Sequence, residues 1–291
     1  MIKTKHVWKP ATVPEAWMLS NKFKEECCFV AGGTWLRTQW EAAVAEEPPQ
    51  LISLDEIAEL KTGIELRENE VVISSLARLS LLMKNVTVRK ELPLLAQACA
   101  RIAAPSVRNQ ATLGGNILTK LGDTLPVLLI YEAKLCWYDG LGYCTEPLDE
   151  WLESRNKETR ILVQIKIPLL ITMHDTLQFY MKTGRRETFI PSQVTVSGYV
   201  GMNSSGDVTE ARIAAGGGNA VSKRLKETEQ LFLEASTRSL FPAMIHQKIK
   251  SEFQPPDDVF ASSTYKKRAA ANLIVSQWFK RTGTRIAADE T

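Results

Sequence analysis

Hydrophobic positions along this chain alternate between short runs that suit strands and spacings of three and four that suit amphipathic helices. Pro14–Asn21 predicts a short helix leading into the apolar strand Cys28–Val30, and Leu51–Leu54 and Val71–Ser74 predict two further strands. From Leu92 to Ala104 the apolar residues fall at Leu92, Leu95, Ala96, Cys99, Ile102 and Ala103, a helical spacing that Pro105 is expected to end. Thr124–Ala133 predicts a buried helix with Thr124 as its N-cap, followed by the strand Lys134–Tyr138. Ile161–Ile167 predicts a strand closed by Pro168. Beyond it, Thr176–Lys182, Gln193–Val200 and Val208–Ala215 are strand-like. Polar helices are expected near Ser222–Glu234, Phe241–Ser251 and Thr264–Phe279, and the residues from Thr282 onward are expected to fray.

Between these elements lie two glycine pairs, each with a threonine beside it. One is Ala31-Gly32-Gly33-Thr34, delivered by the Cys28–Val30 strand. The other lies in Arg108-Asn109-Gln110-Ala111-Thr112-Leu113-Gly114-Gly115-Asn116-Ile117, a loop that follows a helix. Glycine lets backbone approach a ligand closely, and flanking Thr and Asn supply hydrogen-bonding groups that a phosphate or diphosphate can use. A single such pair is commonly only a turn. Two of them point to something large and polar held against the main chain.

Composition narrows the classes. With 291 residues, 44% hydrophobic and 24% charged, the chain suits one large domain or two to three subdomains. A net charge of +3, with no basic run interleaved with aromatics, disfavours nucleic acid. The segment Met1–Pro10 is basic but has no apolar run behind it, and no stretch approaches 18 apolar residues, so the expectation is a cytoplasmic protein with no membrane association. Five irregularly spaced cysteines (Cys27, Cys28, Cys99, Cys136 and Cys144) suit reduced thiols and lack the grouping of an iron–sulfur ligand set. There is no P-loop, no strand-linked G-x-G-x-x-G and no G-x-S-x-G elbow; Ala215-Gly216-Gly217-Gly218-Asn219 comes nearest to the second and fails its spacing. His6, His174 and His246 are too scattered for a zinc site, so an enzyme here must borrow its chemistry from a cofactor.

Taken in order, Ala31–Thr34, then Ile102-Ala103-Ala104-Pro105-Ser106-Val107-Arg108 through Asn116, then Gly122-Asp123-Thr124-Leu125-Pro126 resemble the FAD-binding medium subunit of molybdenum hydroxylases of the xanthine dehydrogenase and carbon monoxide dehydrogenase type. The second half continues the resemblance. Phe179-Tyr180-Met181-Lys182-Thr183-Gly184-Arg185-Arg186 is similar to the family's Y-x-K-x-G-R-R segment, Ala214–Gly218 with Arg224 and Glu229 to its G-G-V-A-P…R…E stretch, and Tyr265-Lys266-Lys267-Arg268 to its C-terminal Y-R-R helix. The resemblance covers nearly the whole chain.

It implies an α+β protein with a PCMH-type FAD-binding fold. An FAD-binding domain over 1–170, in two subdomains of about 1–55 and 56–170, would precede a C-terminal sheet-and-helix domain over 171–291. By the same resemblance Ala31, Gly32, Gly33 and Thr34 wrap the FAD diphosphate, and Thr112, Gly114, Gly115 and Asn116 take its other side. Asp123 accepts from a ribose or ribityl hydroxyl, and Lys182 approaches the isoalloxazine ring, where a cation stabilises the anionic reduced flavin. FAD would be non-covalent, because neither loop contains His or Cys. The implied partners are a 2Fe-2S subunit and a molybdopterin-binding subunit, with NAD+ as acceptor; the form of the Ala31–Thr34 loop leans to the xanthine branch and purine oxidation. Two departures stand out: Trp35 sits where the family often has a small acidic residue and reads as a packing or interface residue, and Thr119-Lys120-Leu121 replaces an A-S-P-like run.

Plainer readings of the same residues stay open. Asp123 could cap the helix that begins near Thr124, and Lys182, Arg185 and Arg186 could form a solvated basic turn. A self-contained flavin-dependent reductase or oxidase, or a nucleotide-binding scaffold, would also use this fold; the first needs an acid or base that the sequence does not nominate.

Overall fold

The structure, a computed structural model, describes residues 5–154, 158–170, 175–184, 192–234 and 241–289. The chain divides into two compact units. The first comprises Met1–Ala100, Ala104–Thr119 and Glu132–Leu169; the second comprises Arg101–Ala103, Lys120–Tyr131 and Leu170–Thr291. Residues 101–103 and 120–131 are thus excursions of the N-terminal half into the second unit.

The first unit holds two sheets. A parallel three-stranded sheet has the order β1 (His6–Trp8), β3 (Gln50–Ser53), β2 (Cys27–Val30), and helix α1 (Val13–Phe23) connects β1 to β2. Thr12 caps α1 by accepting from the Glu15 amide, and Pro14 stands in its first turn, where no amide hydrogen is needed. An antiparallel five-stranded sheet has the order β4 (Ile64–Leu66), β5 (Glu70–Ser74), β8 (Ile161–Pro168), β6 (Lys134–Tyr138), β7 (Tyr143–Pro147). Val13, Ala16, Ile52, Leu54, Ile57, Leu60, Leu76, Ile161 and Val163 form one buried cluster that joins the two sheets. The helices α2 (Thr34–Glu41), α3 (Leu79–Leu82), α4 (Val86–Glu91), α5 (Pro93–Ala100), α6 (Pro105–Arg108), α7 (Leu113–Leu118) and α9 (Leu148–Glu153) complete the unit.

The second unit is an antiparallel sheet of β12 (Ala220–Arg224), β11 (Val208–Gly217), β10 (Val194–Met202) and β9 (Asp175–Thr183), in that order. The buried helix α8 (Leu125–Ile130) packs on β10, β11 and β12; α10 (Lys226–Glu234), α11 (Pro242–Glu252) and α12 (Ser263–Asp289) also belong to it. Every residue of β10 is buried, as expected of a strand covered on both faces. The pair Arg224–Glu229 ties α10 to the sheet: the guanidinium meets both carboxylate oxygens, one at 2.8 Å, and the Ile213 amide donates to the same carboxylate at 2.8 Å.

The α+β class matches the expectation from the chain, with local corrections. The Leu92–Ala104 helix ends at Ala100, and Pro105 opens α6 at its first position instead of closing α5, because its fixed φ suits a helix start. Ser222–Arg224, expected as helix, is strand: Ala220 and Ser222 point inward while Val221 and Lys223 point out. Thr124 stands at the N-cap position of α8 without a side-chain cap bond. The backbone from Thr282 is helical to Asp289. No helix among the described residues is long and apolar enough to cross a membrane.

One buried cation anchors α12. Lys266 is fully buried, and its ammonium donates to Asn219 Oδ1 at 2.7 Å, the Pro256 carbonyl at 2.8 Å and Asp258 Oδ2 at 2.6 Å. Asp258 Oδ1 accepts from the Phe260 and Ala261 amides, and the lysine foremost holds the Asp258 carboxyl below the usual range. A folded pKa depressed below the unfolded one contributes stability that is present above the unfolded value and lost as pH falls through the folded value. The melting temperature is therefore expected to drop on acidification below about pH 4, with Asp258→Asn less sensitive over that interval. At neutral pH, Lys266→Met should cost about 3 kcal/mol in denaturant melts, since it leaves a carboxylate and two acceptors without their cation.

Candidate functional site

The site in the first unit is built where three chain segments meet. Strand β2 runs through Val30 into Ala31-Gly32, and Leu54 returns a backbone bond to the Val30 carbonyl at 2.8 Å. Gly32 lies against the backbone of the second glycine motif: a Cβ there would come 2.0 Å from the Gln110 carbonyl oxygen and 3.1 Å from the Ala111 nitrogen. Only glycine permits that approach.

Gly33 adopts φ +64°, the left-handed region, and is the N-cap of α2. It has no side chain to cap with, and no side chain among the described residues takes that role. The amides of the first turn of a helix have no acceptor within it, and they carry the positive end of the helix dipole. In α2, an eight-residue helix, this leaves the half-buried turn Gly33–Thr34 ready for an anion. Trp35 is exposed.

The second motif behaves differently. Thr112, Gly114, Gly115 and Asn116, expected in a loop, belong to the start of α7, whose N-cap is Thr112. The Thr112 hydroxyl, buried, accepts from the Gly115 amide at 3.0 Å, so this helix caps itself. Gly114 is buried and its amide donates to the Ser75 carbonyl at 2.8 Å, whereas Gly115 is exposed.

The third segment, Ser74–Arg78 at the end of β5, was not among the residues expected at the site. The Leu113 amide donates to Ala77, Leu79 donates to Ala111, and the Arg78 guanidinium donates to the Gln110 carbonyl and to Asp55 at 3.3 Å. Ser75 Oγ is buried with no hydrogen-bond partner among the described residues. The available clue was a pair of serines closing the apolar run Val71-Val72-Ile73, where the strand continues inward. A buried polar pair at the end of a core strand calls for partners.

Asp123 and Lys182 lie in the second unit, and the structure brings them together. Lys182 Nζ donates to Asp123 Oδ2 at 2.6 Å and to the Arg101 carbonyl at 3.3 Å. Asp123 therefore does not cap α8, and Lys182, largely buried, is not part of a solvated turn. The Arg101 guanidinium lies over the Tyr180 ring, 6.0 Å from its centre. Arg185, Arg186 and His174 lie outside the described residues.

Burial above all, then Cys27 and Glu47, pushes the pKa of the Cys28 thiol up to about 11, and burial pushes Cys99 up to about 12. All five cysteines are free, and no group of three His, Cys, Asp or Glu side chains among the described residues could hold a metal ion.

Comparison with known proteins covers both units. Residues 2–170 match the family described as FAD binding domain in molybdopterin dehydrogenase, and residues 179–280 match the CO dehydrogenase flavoprotein C-terminal domain. The chain is 28% identical over 275 residues to the carbon monoxide dehydrogenase medium chain of Hydrogenophaga pseudoflava, covering 91% of this chain and 92% of that one. It is 25% identical over 223 residues to the xanthine dehydrogenase FAD-binding subunit of Escherichia coli O157:H7, covering 74% and 75%. A solved structure of carbon monoxide dehydrogenase from Hydrogenophaga pseudoflava shares the fold, with a TM-score of 0.85 at 24% identity over 95% of this chain and 96% of that one.

The contrast between the two glycine motifs is measurable. Gly32→Ala forces a methyl group onto a backbone carbonyl and should cost about 3 kcal/mol or more. At Gly115 an added Cβ meets only the Thr112 hydroxyl, at 3.0 Å. Gly115→Ala should stay within about 1 kcal/mol of the parent in urea melts.

Proposed function

This chain belongs to the family of FAD-binding domains in molybdopterin dehydrogenases, and on that footing we propose that it is the electron-transfer subunit of a molybdenum hydroxylase, working in the cytoplasm and passing electrons from a 2Fe-2S partner through FAD to NAD+. The observation that carries the reading is the uncapped N-terminus of α2, set by Gly33 and braced by Gly32 against Gln110, which has the chemistry of a diphosphate seat. When bound, the flavin supplies the exchange between one-electron and two-electron chemistry that protein side chains cannot.

The chain's own residues bind and orient. In this proposal Ala31, Gly32, Gly33 and Thr34 present backbone donors to the diphosphate. Thr112, Gly114, Gly115 and Asn116 form the wall behind them, Thr112 by shaping α7 and Gly114 by closing onto Ser75. Asp123 accepts from a cofactor hydroxyl and Lys182 sets a positive charge beside the flavin ring. The FAD-binding domain is taken as 1–170 and the second domain as 171–291. A non-covalent cofactor is supported by the absence of His and Cys from both glycine motifs.

The molybdopterin-binding subunit would choose the substrate. Xanthine is the first candidate, from the form of the Ala31–Thr34 loop. Carbon monoxide is the second, favoured by the 28% identity that spans 91% of this chain.

Acid or heat precipitation of the purified yellow chain should release all of its FAD into the supernatant; flavin retained by the pellet contradicts the non-covalent reading. Gly33→Val, which puts a β-branched side chain at φ +64°, should lose the flavin while far-UV circular dichroism keeps its shape. Coexpression with candidate cluster and molybdenum subunits, followed by size exclusion and a hydroxylation assay, tests the relay. Full-rate oxidation of an organic substrate by the lone chain would replace it with a self-contained flavoenzyme.

A further inference from the structure

The Asp123 carboxylate meets more than Lys182. Its Oδ2 takes the lysine, and its Oδ1 takes two hydroxyls: Ser192 Oγ, and Thr195 Oγ1 at 3.1 Å. Both donors are buried, Thr195 completely. Thr195 and Lys182 are register partners across β10 and β9, so one sheet position supplies a donor to each oxygen of the same carboxylate. Ser192 is held from behind, because its carbonyl accepts from the Gly218 amide at 2.7 Å. That turn is in turn fixed by the bond between Asn219 and the buried Lys266.

A lysine ammonium is a compact charge on a four-carbon stem, and its position follows its acceptors. Among the described residues Lys182 has two of them, the Arg101 carbonyl at 3.3 Å and the closer Asp123 carboxylate at 2.6 Å. A carboxylate held at one oxygen only can swing, and the lysine swings with it. A carboxylate pinned at its other oxygen by two hydroxyls on a fully buried strand and its lead-in cannot.

We propose that Ser192 and Thr195 are positioning residues that pin the Asp123 carboxylate and, through it, the Lys182 ammonium, and so set the field which the pair exerts on the bound flavin. The proposal rests on the reading that Asp123 and Lys182 contact the cofactor. Neither hydroxyl touches the flavin in this scheme.

The experiment uses the full FAD-loaded chain and measures the flavin midpoint potential spectroelectrochemically, with FAD affinity and thermal melts of the flavin-free protein alongside. Lys182→Met should make flavin reduction about tenfold less favourable, or about 30 mV for a two-electron couple. Thr195→Val, which keeps the shape and removes the donor, and Ser192→Ala should each shift the potential in the same direction by about threefold, with the double variant larger. Thr195→Ser should restore the parent potential. If Lys182→Met shifts the potential and the double variant does not, the positioning role is overturned while the cofactor reading stands. If Lys182→Met leaves both potential and FAD affinity at parent values, the cofactor reading itself falls and takes the proposal with it. Should Thr195→Val not fold, Ser192→Ala decides the matter by the same readout: a shift in the direction of Lys182→Met supports the positioning role, and a parent potential beside a shifted Lys182→Met overturns it.

Discussion

The peptide joining Gln110 to Ala111 occupies the space that any side chain at position 32 would need. That contact, backbone against backbone, holds together two motifs far apart in sequence and sets the entry of α2. Because Gly32 touches Gln110, the chain must turn sharply, and Gly33 makes the turn at positive φ. Because Gly33 then stands at the N-cap, α2 starts without a capping side chain. The Arg78 guanidinium on the Gln110 carbonyl and the paired bonds of Ala77 and Leu79 with Leu113 and Ala111 keep the receiving peptide in place.

The second unit solves a different problem, that of placing charge inside protein. Lys266 is fully enclosed, and three oxygens at 2.6–2.8 Å answer its three hydrogens. Burial of a charge is tolerated when it is paired and hydrogen-bonded in this way. Asp123 shows the complementary case, a carboxylate surrounded by donors from β9 and from the lead-in and body of β10. Arg224 and Glu229 are a third instance, and the Ile213 amide makes their carboxylate part of the sheet. Two motif segments of the C-terminal half, the Arg224…Glu229 stretch and the Tyr265–Arg268 helix start, thus supply framework in this structure.

Strand positions that follow apolar runs were legible in the chain: β5, β6, β8 and the Cys28–Val30 part of β2. The three-residue strands β1 and β4 were not, since they hold too few residues for a period to show. Strand β12 was read as helix because Ser222–Arg224 runs directly into the true helical spacing of α10. At the site the glycine strings were visible, but their division of labour was not. Whether Thr112 faces a ligand or its own helix depends on the path of the backbone through Leu113. Ser75 and Arg78 were missed for a related reason: beyond the serine pair that closes the apolar run, Ser-Ser-Leu-Ala-Arg is ordinary composition, and its importance comes from what other segments lay beside it.

Helix α8 carries six apolar or proline residues, Leu125 to Ile130, each of them buried. The sheet that covers them, β10 to β12, lies further along the chain, and β11 ends about 90 residues after α8 does. A ribosome adding about 5–20 residues per second delivers that cover roughly 4–17 s late. During this interval a helix whose every residue ends up buried has been made and its partner has not. The order of synthesis therefore leaves this segment's apolar surface open to solvent until its own sheet is made.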